Sequence, residues 1–265
     1  MTISDRLRQP GLKKGASLLP SLFTIGNLCL GFWAMILSLR LEFESAAQLI
    51  VVAVVFDMLD GRIARMTGTA SEFGAQLDSL SDIVSFGVAP AIIAYQWGLA
   101  TLHKSFWAAF FFVMCAAIRL ARFNVQRKVV DARYFVGLPS PAAAGFVISI
   151  IYFRPEPLSD RVGAGLTMTL LVVAAFLMVS TLRYWSFKTF DLRSRRSYFA
   201  MVGIAALLAL IATEPAWALL AWSCGYAASG PVAYLIGLAR RKGDGGGATS
   251  TEVPRPSPEP SAATS

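Results

Sequence analysis

The chain has 265 residues, of which 55% are hydrophobic and only 15% charged, and its mean hydropathy is +0.58. That is more apolar surface than one soluble core of this length can bury, so the composition excludes a soluble globular domain and predicts an integral membrane protein. The net charge of +8 calls for no nucleic-acid partner, because the basic residues are distributed as membrane topology and anionic headgroups require.

Residues 1–17 are polar and basic, and Pro10, Gly11 and Gly15 discourage a long helix there. They are expected to form a cytoplasmic lead-in. Apolar runs follow at Leu18–Leu39, Ala46–Met58, Ile83–Leu99, Phe106–Leu120, Ala142–Phe153, Val162–Leu182, Phe199–Ile211 and Ala216–Leu238. Each approaches the roughly 20 residues that cross a bilayer, alone or with weakly polar flanks. The expected fold is all-α, a polytopic transmembrane bundle of about eight spans with both termini cytoplasmic. Pro139 and Pro141 bend or open the fifth span. The first run is too long for a signal-peptide core, lacks a small-x-small exit and is followed by further spans, so it reads as a retained helix.

Orientation follows from the basic residues, which stay on the cytoplasmic side near helix ends. Of the 24 Lys and Arg, only Arg40, Lys104, Arg154 and Arg161 fall in outer loops when the N-terminus is inside. The transmembrane domain then covers 18–242. The tail 243–265, rich in Gly, Pro, Ser and Thr, has little to bury and is expected to be disordered. Cys29, Cys115 and Cys224 lie in apolar runs without metal or disulfide spacing, and His103 sits beside Lys104 in an outer loop.

One stretch breaks the apolar pattern: FDMLDGRIARMTGTASEFGAQLDSLSD, from Phe56 to Asp82. At about 100° per residue, Asp57, Asp60, Gly61 and Ala64 share one helical face with Arg65 at its edge. After a break at Thr67, Gly68 and Thr69, Gly74, Asp78, Ser81, Asp82 and Ser85 cluster on the next helix. Two antiparallel helices thus aim two carboxylates each into one space at headgroup depth. Four like charges that close repel, and bound cations relieve them. Oxygen-only ligands suit Mg²⁺ or Mn²⁺, and four carboxylates suffice for a two-metal phosphoryl-transfer site. Gly61, Ala64 and Gly74 leave room for a substrate against the backbone, and Arg65 can neutralise phosphate. Simple helix-end pairing with Arg62 and Arg65 is the alternative.

These residues resemble in full the signature of the CDP-alcohol phosphatidyltransferase family, DxxDGxxAR, eight residues, then GxxxDxxxD. Eight specified residues at about 5–8% frequency each would coincide on the order of once in 10¹⁰ start positions. The resemblance implies that two divalent cations are held by Asp57, Asp60, Asp78 and Asp82, with Asp82 also the general base on an acceptor hydroxyl. It further implies a cytidine pocket lined by Gly61, Ala64 and Gly74, with Arg65 on the diphosphate, and release of CMP from a CDP-linked lipid. The segments LPSLFTIGNLCLGF (19–32), IVSFGVAPA after Asp82, RLARFNV (119–125) and FVGLPSPAAAG (135–145) are similar to the membrane-integral bacterial phosphatidylserine synthases within that family. That likeness implies CDP-diacylglycerol and L-serine as substrates, amid the lipids of the cell (inner) membrane, with the site facing the cytoplasm.

The flanks read independently are compatible. Serine carries a carboxylate, an ammonium and a hydroxyl. Arg119 and Arg122 can supply a cation, with Ser85 and Asn124 as polar partners, or the arginines are positive-inside anchors only. Another acceptor, such as glycerol 3-phosphate or an inositol phosphate, and a divalent-cation transporter remain alternatives; a homodimer is left open.

Overall fold

A computed structural model describes residues 10–68, 71–102, 104–126, 134–185 and 214–244. Helix α1 (Pro10–Leu39) runs antiparallel to α2 (Phe43–Thr67), and α3 (Glu72–Asp82) passes through a π-helical turn (Ile83–Val88) into α4 (Ala89–Trp97). Then come α5 (Ser105–Gln126), α6 (Ser140–Phe153), α7 (Arg161–Val179) and α8 (Pro215–Asp244). Among the described residues the strands form one short antiparallel ladder between β1 (Tyr134–Val136) and β2 (Arg183–Trp185).

Among the described residues, five stretches are long and apolar enough to cross a membrane: Ser21–Leu39, Glu72–Trp97, Ser105–Val125, Arg161–Val179 and Pro215–Gly237. Seven of the eight apolar runs fall on helices, and the other, Phe199–Ile211, lies outside the described residues. Helix α6 has 14 residues, about 21 Å at 1.5 Å per residue, which is short of a hydrocarbon core of about 30 Å. Helix α2 has 25 residues, and the charged stretch from Asp57 interrupts its apolar run. Among the described residues, length and composition establish five of the eight expected spans.

The lead-in also differs from expectation, since α1 begins at Pro10 rather than near Leu18. Proline at the first helical position costs no hydrogen bond and presets φ, and the glycines cost only about 1 kcal/mol each. His103 and residues 245–265 lie outside the described residues.

Helix contacts are made by small residues, as in membrane bundles where close backbone approach supplies the packing. Ala34, Ala46, Ala47 and Ile50 are buried where α1 meets α2, and Phe23 meets Phe56 edge-on with ring centroids 5.6 Å apart. Phe32, Trp33, Phe106, Trp107, Phe176 and Trp222 stay exposed, the distribution expected of side chains facing lipid.

The break between α2 and α3 is built by turn chemistry. Gly68 ends α2 in the left-handed region at φ 64°, and Ser71 caps α3 by accepting from the Gly74 N–H at 3.0 Å. A second tie joins the C-terminal ends of α5 and α7. Gly137 (φ 81°) lies against the carbonyls of Met178 and Ser180, so closely that a Cβ there would collide with backbone. Arg122 donates to the carbonyls of Val136 (2.8 Å), Val179 (3.2 Å) and Ser180 (3.4 Å). Leu138 N–H closes the tie onto Leu177 O at 2.9 Å.

Candidate active site

The α2–α3 turn brings the acidic faces together. Carboxylate oxygens of Asp57, Asp60 and Asp78 all lie within 4.8 Å of one another, close enough to share one ion. Asp60 is buried and accepts a hydrogen bond from the Thr24 hydroxyl at 2.9 Å on its Oδ2. This partner orients the carboxylate and leaves its other oxygen for a ligand. Asp82, four residues beyond Asp78, is buried beside Asp57 and is the last residue before the π turn. Its Oδ1 has no hydrogen-bond donor among the described residues.

The donor set fits a hard divalent cation. All ligand atoms are carboxylate oxygens, they converge within a few ångströms, and a buried oxygen of the adjoining Asp82 lacks a partner among the described residues.

Gly61 and Ala64 lie half-buried on the same side of α2 as Asp57 and Asp60. Gly74 opens the first turn of α3, and a Cβ there would meet only the Ser71 hydroxyl, at 3.1 Å. Arg65 occupies its expected place in α2, with its side chain outside the described set.

The four flanking residues separate. Arg119 is buried, donates to the Ser140 hydroxyl at 2.7 Å and lies within electrostatic reach of Asp82 and Asp57. Arg122 is committed to the backbone carbonyls above. Asn124 pairs with Ser79, donating to its hydroxyl at 2.9 Å. Ser85 is fully buried in the π turn and donates to the Asn27 carbonyl at 3.0 Å. Only Arg119 is thereby set beside the acid cluster.

Sequence reading missed Thr24, Asn27 and Ser140. Thr24, Asn27 and Gly31 fall within an arc of about 60°, a polar and small stripe on an otherwise apolar span; that stripe is the signal that marked them. The stripe faces α3 and the π turn: Ser81 donates to the Thr24 carbonyl at 3.0 Å, and a Cβ on Gly31 would strike Ser85.

Fold and site define a membrane protein with a carboxylate cluster, between two neighbouring helices, that could hold a metal ion. Residues 17–182 match the model of the CDP-alcohol phosphatidyltransferase family, and the chain belongs to that family. It is 38% identical over 177 residues to the CDP-diacylglycerol--serine O-phosphatidyltransferase of Helicobacter pylori, covering 64% of this chain and 73% of that one. The enzyme of the same description from Methanocaldococcus jannaschii is 36% identical over 161 residues, with 61% and 70% covered. The archaetidylserine synthase of Methanothermobacter thermautotrophicus is 35% identical over 168 residues, with 63% and 69% covered. Helix α8 lies beyond the matched family region.

Proposed function

We propose that this chain transfers the phosphatidyl group of CDP-diacylglycerol to the hydroxyl of L-serine, giving phosphatidylserine and CMP. The observation that carries the reaction type is the convergence of Asp57, Asp60 and Asp78, with Asp82 beside them, on a complete family signature. The acceptor rests on the relatives, several of which are named for serine.

Asp57, Asp60, Asp78 and Asp82 would hold two divalent cations, Mg²⁺ or Mn²⁺. Bound there, such cations supply charge neutralisation of the diphosphate and of the departing CMP. The serine hydroxyl attacks the lipid-side phosphorus in line, the bond from that phosphorus to the CMP oxygen breaks, and Asp82 accepts the hydroxyl proton. An alcohol is a weak nucleophile at neutral pH, so a carboxylate next to the phosphorus is where a base is needed. Gly61, Ala64 and Gly74 would admit cytidine against the backbone, and Arg65 would steady the diphosphate. Arg119 would take the serine carboxylate; Arg122, Asn124 and Ser85, already hydrogen-bonded elsewhere, would act by holding the walls around it.

The site would face the cytoplasm of the cell (inner) membrane, with a domain of 18–242 between a lead-in and a tail. Grouping of the carboxylates in one cluster between two neighbouring helices supports this reading over a cation transporter, which needs ligands along a path.

Two variants test the mechanism in purified full-length protein. Asp82→Asn should lose most turnover, about 10²–10⁴-fold for a general base, while CDP-diacylglycerol binding persists. Asp78→Asn should also raise the metal concentration needed for half-maximal activity. Near-normal turnover of Asp82→Asn would contradict its role as base.

A further inference from the structure

Three side chains at the site keep buried polar atoms that none of these interactions uses. Asn27 is 0% exposed, yet neither its Oδ1 nor its Nδ2 has a hydrogen-bond partner among the described residues. Asp82 Oδ1 and Arg119 Nε are buried and unpartnered in the same sense. Leaving a buried polar group unsatisfied is costly, so several in one place point to a ligand that satisfies them.

They occupy one layer. Near the α2–α3 turn, Thr24 meets Asp60, and Ser81 meets the Thr24 carbonyl. Three residues farther from that turn, about 4.5 Å, stand Asn27 on α1 and Asp57 on α2, and on α3 Asp82 directly follows Ser81. Ser85, one turn past Asp82, is held to the Asn27 carbonyl. Arg119 enters the same layer from α5, within electrostatic reach of Asp57 and Asp82. The Asn27 backbone is thus tied to the π turn that begins directly after Asp82, while its carboxamide has no partner among the described residues. Packing alone does not call for a carboxamide there, because an apolar side chain of that size fills space without an unsatisfied donor and acceptor.

The geometry points to Asn27 as a specificity-determining residue that reads the α-amino-acid end of the acceptor. Its Oδ1 takes the ammonium, and its Nδ2 donates to the carboxylate beside the Arg119 guanidinium, which brings the hydroxyl to Asp82. The inference rests on serine being the acceptor and adds the group that distinguishes it from an alcohol lacking the carboxylate.

The test compares L-serine with ethanolamine in purified full-length protein containing CDP-diacylglycerol and Mn²⁺. Asn27→Asp keeps an acceptor for the ammonium but sets a negative charge against the carboxylate. It should raise the ratio of kcat/KM for ethanolamine to that for serine at least tenfold. Asn27→Ala should raise the serine KM about tenfold with the CDP-diacylglycerol KM unchanged. A structural amide would instead lower the melting temperature and kcat and leave both the ratio and the serine KM alone, which would overturn the inference.

The wild-type protein supplies a check that does not depend on the variants folding. The chain has only two asparagines, Asn27 and Asn124, so ¹⁵N-asparagine labelling gives two carboxamide signals. With CMP and Mg²⁺ present, saturating L-serine should shift the Asn27 pair, whereas glycerol 3-phosphate should not. An Asn27 signal unmoved by bound serine overturns the proposal. Wild-type protein that turns over another alcohol but not serine would remove the functional reading itself, a result distinct from either.

Discussion

At the scale of single residues, the site depends on what surrounds the aspartates as much as on the aspartates. Thr24 is the clearest case, because its hydroxyl holds Asp60 at 2.9 Å. Partners of this kind tune metal affinity by about 10–100-fold, so Thr24→Val should raise the Mn²⁺ concentration for half-maximal turnover by at least about tenfold, measured by metal titration of CMP release. The two arginines of RLARF should part company. Arg122→Met strips the donor from the carbonyls of Val136 and Val179, a loss of about 1–3 kcal/mol for each buried group left unsatisfied. Its main effect should be a lower melting temperature in detergent. Arg119→Met should raise the serine KM instead. The four aspartates were legible in sequence because acids in an apolar chain are expensive, and spacing put each pair on one face. Thr24 and Asn27 were not, since one hydroxyl or amide in a span is ordinary; their meaning comes from the helix placed opposite.

At the scale of elements, two junctions position the chemistry. The turn between α2 and α3 is capped at both ends by Gly68 and Ser71, and this cap chemistry is readable in TGTAS. The π turn that starts directly after Asp82 is not readable, because IVSFGV carries an ordinary helical pattern and a one-residue slip in hydrogen bonding leaves no mark in composition. Such turns concentrate at functional sites, and here the turn seats Ser85 against α1. Two glycines test the packing. Gly31→Ala would drive a Cβ into Ser85, whose Cα lies 2.7 Å from it, so it should destabilise the fold by about 1–3 kcal/mol or more, seen as a fall in melting temperature. Gly74→Ala meets only a serine hydroxyl, so it should melt like wild type and raise the KM for CDP-diacylglycerol. An unchanged KM would count against a cytidine pocket at that glycine.

At the scale of the whole molecule, five described stretches meet the requirements of a membrane span, and α2 and α6 are built differently for a reason. Helix α2 gives up part of its apolar length to the acid cluster. The short α6 is set by Pro139 and Pro141 at its start, where Ser140 receives Arg119. Hydropathy placed seven apolar runs on described helices, and five described stretches have the length and composition of a span. The architecture brings three kinds of group to one place: carboxylates on α2 and α3, a polar stripe on α1, and a buried arginine on α5. That is the arrangement a water-soluble alcohol and a lipid-anchored diphosphate need in order to meet. The central claim is the identity of the reaction, and acceptor competition tests it most directly. Purified protein is given CDP-diacylglycerol and Mn²⁺ with L-serine, glycerol 3-phosphate or inositol phosphate in parallel, and CMP and the lipid product are followed. The account predicts CMP release matched by phosphatidylserine with serine alone, abolished by chelation and restored by the metal. Robust turnover of another alcohol with no serine-dependent CMP would contradict it.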